Sequence, residues 1–414
     1  MTVREACLRA GRNAVGPSGA VRVLAVTGLA RALGFGFLIT VGALYFTRTV
    51  GLPAGSVGFG MTAAAACGVA AGVTAGRLAD ARGPRAVTVA AALLQSGAAL
   101  GYALADGLPG FLIVTCVSMA CHAASEAARG ALIALVVQHR ERVEIRARLH
   151  VVANVGMSLG AVLGGIALLY ETDLLYRGFF LLCAALFAVT GILSAGLPDP
   201  RTRGRPEDGR RGWDSLGDRR FAAFILLNTV LMMNDGLITV VLPLWIASRT
   251  EAPVSVYSAI LVLNTAVVVL FQVRASRGTG DLAGAARALR RSGTLLFACC
   301  VVFALSAGRS PRQAVAVLLL GALLHVIGEM LCSAGAWSLS FELAPEHAHG
   351  QYQGMFTTSI QLSSMLAPAA GTALVLGLGT TGWLVMAAVM LTAGTACTAV
   401  ARMPGPDRDR AVGG

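Results

Sequence analysis

The chain alternates apolar blocks with short polar links, and each block has roughly the 20 residues that a helix needs to cross the hydrocarbon core of a membrane. Of its 414 residues, 56% are hydrophobic and 13% are charged, whereas a soluble domain carries about 25% charged residues. Backbone polar groups find no water in the hydrocarbon, so only helices or closed barrels can span it. The blocks are rich in Ala, Leu, Val and Gly and lack the alternation of barrel strands. The sequence therefore predicts an all-α membrane protein.

Windows of high hydropathy divide the chain into about twelve predicted spans. These spans are residues 22–47, 55–75, 86–107, 110–136, 149–170, 178–197, 221–246, 255–274, 293–309, 312–339, 353–376 and 380–402. A linker at 198–220, rich in Pro, Gly and charge, divides them into two sets of six. We therefore predict two six-helix bundles, residues 22–197 and 221–402, with tails at residues 1–21 and 403–414.

The distribution of arginine predicts the orientation. About 26 of the 33 basic residues fall on one face of the predicted spans and about five on the other. Loops rich in positive charge stay on the cytoplasmic side of a membrane. We therefore expect both termini and the linker in the cytoplasm, and the chain in the cytoplasmic membrane of a bacterium. The basic N-terminus has no short apolar segment with a small-residue cleavage site, so we expect no removable signal peptide.

Composition and motifs argue against several other classes of protein. The net charge of +12 does not indicate a nucleic-acid partner, because the arginines lie in short loops between spans. The nine cysteines have no paired spacing, and nearly all lie in apolar runs, which predicts neither disulfides nor a metal. The sequence has no phosphate-binding glycine loop and no nucleophile elbow. It therefore predicts neither an enzyme nor an ATP-driven pump, unless a partner subunit supplies the ATPase.

A charged link at residues 76–87 joins the second and third predicted spans. It resembles the loop between helices 2 and 3 of major facilitator superfamily transporters, and the matching residues are Gly76, Asp80, Gly83 and Arg85. The glycines allow a tight turn and a close approach of helices. The resemblance implies that Asp80 accepts from a helix N-terminus of the other half, where positive partial charge gathers. With Arg82 or Arg85 steadying it, this contact would lock the cytoplasmic face in one state.

Glycines recur at four-residue spacing in the fifth predicted span, a pattern that lets two helices touch backbone to backbone. They are Gly156, Gly160, Gly164 and Gly165. The pattern resembles the helix-5 motif of the drug:proton antiporters of the same superfamily, with Ala161 where that motif has proline. Generic small-residue packing is the alternative. Residues 159–165 also match residues 366–372, which predicts an internal repeat of two six-helix halves.

A third resemblance, to the twelve-span exporters of the superfamily, covers the tenth span and the start of the eleventh. It is carried by Gly328-Glu329, by residues 343–346 and by residues 350–354. Two histidines in this stretch, His347 and His349, are expected to be solvated rather than to hold a metal.

Ionisable side chains at membrane depth are expensive, and they usually mark an ion or substrate path. Six of them fall in the predicted spans: Arg31, Glu126, Arg129, Asp235, His325 and Glu329. They lie on predicted helices 1, 4, 7 and 10, which line the central cavity in the superfamily. A static ion pair between helices is the alternative for each of the six.

The second half carries the predicted proton site. His325 and Glu329 are four residues apart and share a helix face. A carboxyl group in an apolar cavity can take up a proton near neutral pH, and a neighbouring histidine can relay it. We therefore predict that Glu329, or else Asp235, couples transport to protons, with His325 beside it.

The first half carries the predicted gate. Glu126 and Arg129 lie nearer the cytoplasm and are predicted to act in gating with Asp80. Arg31 could neutralise a carboxylate of the second half or hold an anionic substrate.

Further polar and aromatic residues near these depths are candidates for lining a substrate cavity together with Arg31, although packing and interfacial anchoring are the alternatives. They are Tyr45, Asn154, Asn228, Asn234, Trp245, Asn264, Trp337 and Gln361.

These features predict a monomeric secondary transporter that exports a small amphipathic, drug-like or natural-product compound in exchange for protons. Its expected partners are the substrate, protons and the lipid bilayer, and the proton gradient takes the place of a cofactor. Uptake of a nutrient or metabolite by proton symport is the first alternative. A membrane sensor or enzyme is the second, and it would need a catalytic set or a sizeable soluble domain. The sequence does not name the substrate.

Overall fold

The computed structural model describes residues 17–138, 141–170, 172–198, 214–253, 255–345 and 348–403. Most of the predicted tails and of the 198–220 linker lies outside the described residues, and so does His347.

The described residues form twelve long helices and no strand, which confirms the predicted all-α membrane fold. They are α1 (Pro17–Arg48), α2 (Ala54–Arg82), α3 (Pro84–Leu104), α4 (Gly107–Val136), α5 (Arg142–Tyr170), α6 (Asp173–Ala195), α7 (Arg219–Arg249), α8 (Val256–Ala275), α9 (Leu282–Ala304), α10 (Pro311–Glu342), α11 (His349–Leu378) and α12 (Thr380–Arg402). A one-turn helix, Asp214–Gly217, precedes α7. Within the described chain, eleven helices are long and apolar enough to cross a membrane by length and composition.

The exception among the twelve is α9, whose first half carries arginines at 287, 290 and 291. Sequence analysis predicted that this span would run from 293 to 309, whereas the helix begins at Leu282. Asp281 explains the early start, because its Oδ1 accepts from the Gly284 N–H at 2.7 Å and caps the helix.

Several other helices also extend beyond the predicted apolar spans. The predicted loop between α2 and α3 is almost entirely helical, because α2 continues to Arg82 and α3 begins at Pro84. The two helices are joined by Gly83 alone, which adopts a φ of 93° that favours glycine. Proline suits the first helical position, since the N–H that it lacks would have no partner there. Similarly, α5 begins at Arg142, seven residues before the predicted start at 149.

The chain forms two compact units. The first comprises residues 1–212 and 345–358, and the second comprises residues 213–344 and 359–414. In the first unit, α1 packs against α5 and α6, α2 against α4, and α3 against α4 and α6. In the second, α9 packs against α10 and α12, α8 against α10, and α7 against α12. The predicted boundaries at residues 22–197 and 221–402 stay a prediction, because α11 contributes residues to both units.

The two matching segments of the predicted repeat take similar places in their units. On α5, Gly160 lies against the backbone of Leu33 and Phe37 in α1. On α11, Gly371 lies against Val241 in α7. The fifth helix of each half therefore packs against the first, as a repeat of two six-helix halves requires.

Candidate functional site

The turn between α2 and α3 binds the beginning of α11. Asp80 lies in the last turn of α2, where its Oδ1 accepts from the Gly350 N–H at 2.6 Å and its Oδ2 accepts from the Gln351 N–H at 2.8 Å. The first N–H groups of a helix have no acceptor within that helix. The carboxylate of Asp80 therefore satisfies two such donors at the positive end of the helix dipole.

Glycine allows this contact because the two backbones touch. A Cβ on Gly76 would collide with the carbonyl oxygen of Gly350, and a Cβ on Gly350 would collide with that of Gly76. One turn further along, a Cβ on Gly354 would lie 2.5 Å from the carbonyl oxygen of Gly72. A side chain at any of these positions would push α11 away from α2.

The two arginines of this turn differ in their surroundings. Arg82 is exposed. The Nη1 of Arg85 donates to the carbonyl oxygen of Leu197 at 3.1 Å and so ties the beginning of α3 to the end of α6.

The glycines of α5 form a close contact with α1. A Cβ on Gly156 would lie 2.8 Å from the carbonyl oxygen of Leu29, and one on Gly164 would lie 2.9 Å from a methyl carbon of Thr40. Gly165 differs, because a Cβ there would meet no atom within 4 Å. Gly165 therefore takes no part in the described contact between α5 and α1.

Buried charges of the first unit converge on Glu126 of α4. Its Oε1 is ion-paired with Arg31 of α1, and its Oε2 accepts from Arg146 of α5 at 3.1 Å. Arg31 also donates to the Nδ1 of His122 at 3.1 Å, and the His122 ring stacks on Phe35 with its centroid 3.5 Å away. An arginine can only donate, so this nitrogen of His122 carries no proton.

Arg129 lies beside this group but binds neutral oxygens. Its Nη1 donates to the Thr27 Oγ1 and its Nη2 to the Leu24 carbonyl oxygen, both at 3.0 Å. Gly28 makes room for it, since a Cβ there would lie 2.9 Å from the guanidinium. Arg31, His122, Glu126, Arg129 and Arg146 are called the arginine cluster below.

The second unit has a contrasting polar group on α7, α8 and α10. The Asn264 Nδ2 donates to the Oε2 of Glu329 at 2.9 Å, and the His325 Nδ1 lies 3.8 Å from the same oxygen. The His325 Nε2 is 3.0 Å from the carbonyl oxygen of Asn234, which can only accept, so this nitrogen carries a proton. Asp235 is exposed and lies within electrostatic range of Glu329 and His325. Asn264, His325, Glu329 and Asp235 are called the carboxylate cluster below.

The backbone of α7 is irregular next to Asp235. Residues Leu237–Val241 are wound as a π-helix, and Pro243 follows. Proline has no N–H, so it removes one hydrogen bond from a helix and displaces the carbonyl one turn before it. A single wider turn accommodates that change, and such turns are frequent at functional sites.

Comparison with known proteins identifies the family. A model described as Major Facilitator Superfamily matches residues 24–368, which is most of the chain. The chain belongs to the major facilitator superfamily. It is therefore a multi-pass membrane protein and a secondary transporter, as the sequence predicted.

Relatives and solved structures of this superfamily (MFS) resemble the chain over most of its length. YhjO of Bacillus subtilis (strain 168), an uncharacterised MFS-type transporter, is 25% identical over 341 residues, 79% of each chain. FucP, an MFS transporter of E. coli solved in the outward conformation, has a TM-score of 0.74 at 12% identity, covering 93% of this chain and 99% of FucP. A bacterial homologue of the iron transporter ferroportin has a TM-score of 0.72 at 15% identity, covering 92% and 98%. The two structures confirm the fold alone.

The structure places the predicted cavity residues of this MFS protein in different surroundings. Tyr45 is buried among Phe46, Tyr176 and Phe180. Trp245 is buried and donates from its Nε1 to the Ser306 Oγ at 3.0 Å. These two positions belong to packed aromatic cores.

The other predicted cavity residues differ in their exposure. Asn154, Asn264 and Gln361 are partly exposed, whereas Asn228, Asn234 and Trp337 are buried. Asn228 donates to the Ser359 Oγ at 2.7 Å, and Asn234 donates to the Leu231 carbonyl oxygen at 2.6 Å.

Sequence reasoning missed two residues of the arginine cluster. His122 lies one helical turn before Glu126, so the same four-residue spacing that drew attention to His325 and Glu329 was readable here. Arg146 was assigned to a loop, because the apolar window for α5 began too late. His349 was expected to be solvated, but it is buried. The described residues contain no group of His, Cys, Asp or Glu that could hold a metal ion.

Proposed function

We propose that this transporter exports small amphipathic, drug-like or natural-product compounds in exchange for protons. The observation that supports this proposal most is the surroundings of Glu329, a carboxyl group within a membrane helix whose described contacts are an amide and a histidine. The transport cycle would be the rocking of two six-helix bundles about a central substrate site.

The partners of Glu329 suit a group that gains and loses a proton. A carboxylate with limited contact with water, such as Glu329 with 24% of its side chain exposed, needs a cation or several donors to stay ionised at low cost. Asn264 supplies one neutral donor to Glu329, and the His325 nitrogen at 3.8 Å is too distant for a hydrogen bond. Both states of Glu329 are therefore accessible in this cluster, because protonation breaks no ion pair with arginine.

Asp235 and His325 suit the passage of that proton. Asp235 is exposed, while His325 is buried and is held by the Asn234 carbonyl with its Nδ1 turned towards Glu329. We propose that a proton reaches Glu329 by way of Asp235 or His325 when the cluster is open to the outside. Protonation of Glu329 would accompany release of the substrate, and release of the proton into the cytoplasm would reset the protein.

We also propose that Asp80 gates the cytoplasmic side. Its two hydrogen bonds to the first N–H groups of α11 are direct and charge-assisted, so they stabilise one state of the cycle. Opening to the cytoplasm would break both bonds and separate Gly76 from Gly350. Glu126 and Arg129, predicted to act in gating with Asp80, lie in the arginine cluster, and their part in gating stays a prediction.

The arginine-rich face supports a location in a bacterial cytoplasmic membrane with both termini in the cytoplasm. We propose that the protein acts there as a monomer, since the twelve described helices supply two sets of six in one chain.

Energised inside-out membrane vesicles test coupling and direction together. In these vesicles the cytoplasmic face is outside and the lumen is acidified by respiration, and quenching of an acridine dye reports the pH gradient. An exporter dissipates the gradient when its substrate is added outside, whereas a proton symporter for uptake does so only when substrate is loaded into the lumen. Suitable probes are ethidium as a cation, chloramphenicol as a neutral compound and naphthoate as an anion.

The proposal expects at least one externally added probe to dissipate the gradient in wild-type vesicles and to lose that effect in Glu329→Gln. The matched control is Glu144→Gln, because Glu144 forms an exposed ion pair with Arg148 on α5, and it should behave as wild type. If Glu329→Gln and Asp235→Asn both leave proton-driven export intact, the coupling scheme is wrong. Dissipation by lumenal compounds alone would establish uptake instead.

A further inference from the structure

The beginning of α9 has a buried face and an exposed face of opposite character. The buried face packs against α10 and α12 and consists of small and apolar residues. They are Gly284, Ala285, Ala286, Ala288, Leu289, Ser292 and Gly293. The exposed face carries Arg287, Arg290 and Arg291. Residues three and four apart are neighbours on a helix surface, so these three guanidinium groups form one positive surface, called the basic patch below.

The basic patch has no described counterion. None of its three guanidinium groups forms a hydrogen bond or an ion pair with a residue that the structure describes. Asp281, the nearest acidic residue in the sequence, instead accepts from the Gly284 N–H at 2.7 Å. Arg220 of the same unit differs from the patch, because its Nε and Nη2 donate to carbonyl oxygens at the end of α12, at 3.1 and 2.7 Å. The donors of the basic patch are therefore exposed and available to a partner outside the described chain.

The basic patch lies where α9 enters the membrane. The apolar span predicted for this helix begins at residue 293, two residues after Arg291. The patch belongs to the side of the predicted spans that is rich in positive charge, and Arg274 and Arg277, exposed near the end of α8, belong to the same side. Basic residues grouped beside a membrane span on this side attract anionic lipids. The location therefore favours a partner in the headgroup layer of the membrane.

Beyond the basic patch, the exposed face of α9 becomes apolar. Thr294 follows within one turn, and Ala298 and Val301 are partly exposed on the same stripe of the helix. Leu305, just after the helix, is 51% exposed and continues that stripe. The rise from Arg291 to Val301 is roughly 15 Å, which is about half of the ~30 Å hydrocarbon core. The face thus has a charged end and an apolar length that match one phospholipid molecule in one leaflet.

We propose that the basic patch binds the headgroup of an anionic glycerophospholipid such as phosphatidylglycerol, with an acyl chain along the apolar stripe that continues it. Guanidinium groups bind phosphate oxygens through planar forks, which suits them to a phosphodiester. The bound lipid holds the charged end of α9 in the headgroup layer. This inference goes beyond the proposed transport function, because it depends on neither the substrate nor the coupled proton.

A soluble phosphate ester would satisfy the same guanidinium donors. It would make no use of the apolar stripe, whereas the acyl chain of a lipid covers that stripe and stays out of water. A lipid is therefore the occupant that we propose, and a soluble anion is an outcome of the test below.

Competition between two lipids for the full-length protein tests the basic patch. The protein is exchanged into detergent that contains equal amounts of phosphatidylglycerol and phosphatidylcholine with the same acyl chains, and native mass spectrometry counts the lipids that it retains. Each arginine near the headgroups should contribute about fivefold, so we expect the wild type to prefer phosphatidylglycerol by at least about tenfold. The double variant Arg290→Gln, Arg291→Gln should lower this preference at least about tenfold.

Two further variants separate recognition of the headgroup from changes in folding or net charge. Arg290→Lys, Arg291→Lys keeps both positive charges and should keep the preference for phosphatidylglycerol. Arg309→Gln, Arg312→Gln is the matched control, because it removes two exposed arginines from the other end of α9 and the beginning of α10, on the side that is poor in positive charge. Its preference should equal that of the wild type, although its net charge equals that of the glutamine variant of the patch.

Four results would overturn the inference. The first is equal retention of the two lipids by the wild type, and the second is an unchanged preference in the glutamine variant of the patch. The third is an equal loss of preference in the lysine variant or in the matched control, which would exclude recognition by charge at this place. The fourth is release of phosphatidylglycerol by millimolar glycerol 3-phosphate, which would assign the patch to a soluble anion.

Discussion

The arginine cluster and the carboxylate cluster place the same kind of side chain, a membrane-embedded glutamate, in opposite surroundings. Glu126 is bound by Arg31 and Arg146, whereas Glu329 accepts from the amide of Asn264 and faces His325 at 3.8 Å. Loss of charge on the first glutamate would leave two arginines without the carboxylate that bridges them, whereas the described contacts of the second include no arginine. We propose that the partners of a carboxyl group in a membrane helix, more than its exposure, decide whether it stays ionised or carries a proton.

Substituting each glutamate by glutamine should test the difference between the two clusters most clearly. Glu126→Gln removes the carboxylate that bridges Arg31 and Arg146, so we expect it to lower the free energy of unfolding by about 2–3 kcal/mol, somewhat less than for a fully buried pair. Glu329→Gln keeps a neutral partner for Asn264 and should leave stability nearly unchanged. Thermal unfolding of both variants in the same detergent measures the difference. An equal loss of stability in the two variants would contradict it.

Glycine substitutions compare the helix contacts of the two units. A Cβ on Gly160 would strike the backbone carbonyl of Leu33, whereas one on Gly371 would meet a methyl group of Val241, which can move. Gly160→Ala should therefore cost about 2 kcal/mol, within the range for overpacking, and Gly371→Ala less. Gly165→Ala is the control, because that position faces open space. The ranking fails if the alanine at 165 lowers the unfolding temperature as much as the one at 160.

Alanine substitutions of Asp80 and Asp281 compare the turn between α2 and α3 with the turn between α8 and α9. Asp281 caps its own helix, α9, so Asp281→Ala should lower stability by about 1 kcal/mol and leave transport intact. Asp80 binds the N-terminus of α11 instead, so Asp80→Ala should reduce transport much more than stability. Transport and unfolding measured on the same preparations separate these effects. A transport defect in Asp281→Ala, with none in Asp80→Ala, would show that the gate lies elsewhere.

Much of the fold was predictable, because the length of an apolar segment decides whether a helix can span the membrane. The predicted twelfth span and α12 share the bounds 380–402, and the contact of Asp80 with a helix N-terminus followed from the family resemblance. The errors lie at charged helix ends. Hydropathy windows stop where arginines begin, although helices continue into the interface, and so Arg146 was assigned to a loop and the start of α9 was misplaced.

The candidate site was less predictable, because side-chain partners depend on the packing of distant helices. Arg31 and Glu126 are 95 residues apart, and no local pattern says that they meet. Tyr45 and Trp245 could equally have lined a cavity, and only the aromatic side chains packed around them place them in the core. The glycine at 165 matched a motif in sequence, but a Cβ there would meet no described atom within 4 Å.

The central claim is that Glu329 carries the coupled proton. A comparison of substrate exchange with substrate accumulation tests this claim most directly. Purified protein is reconstituted into liposomes, and a labelled substrate is followed first by counterflow and then under an imposed pH gradient. The account predicts that Glu329→Gln, fixed in a state that resembles the protonated side chain, no longer accumulates substrate against its gradient, and that any exchange it retains is independent of the pH gradient. Gradient-driven accumulation by Glu329→Gln at the wild-type level would contradict the account.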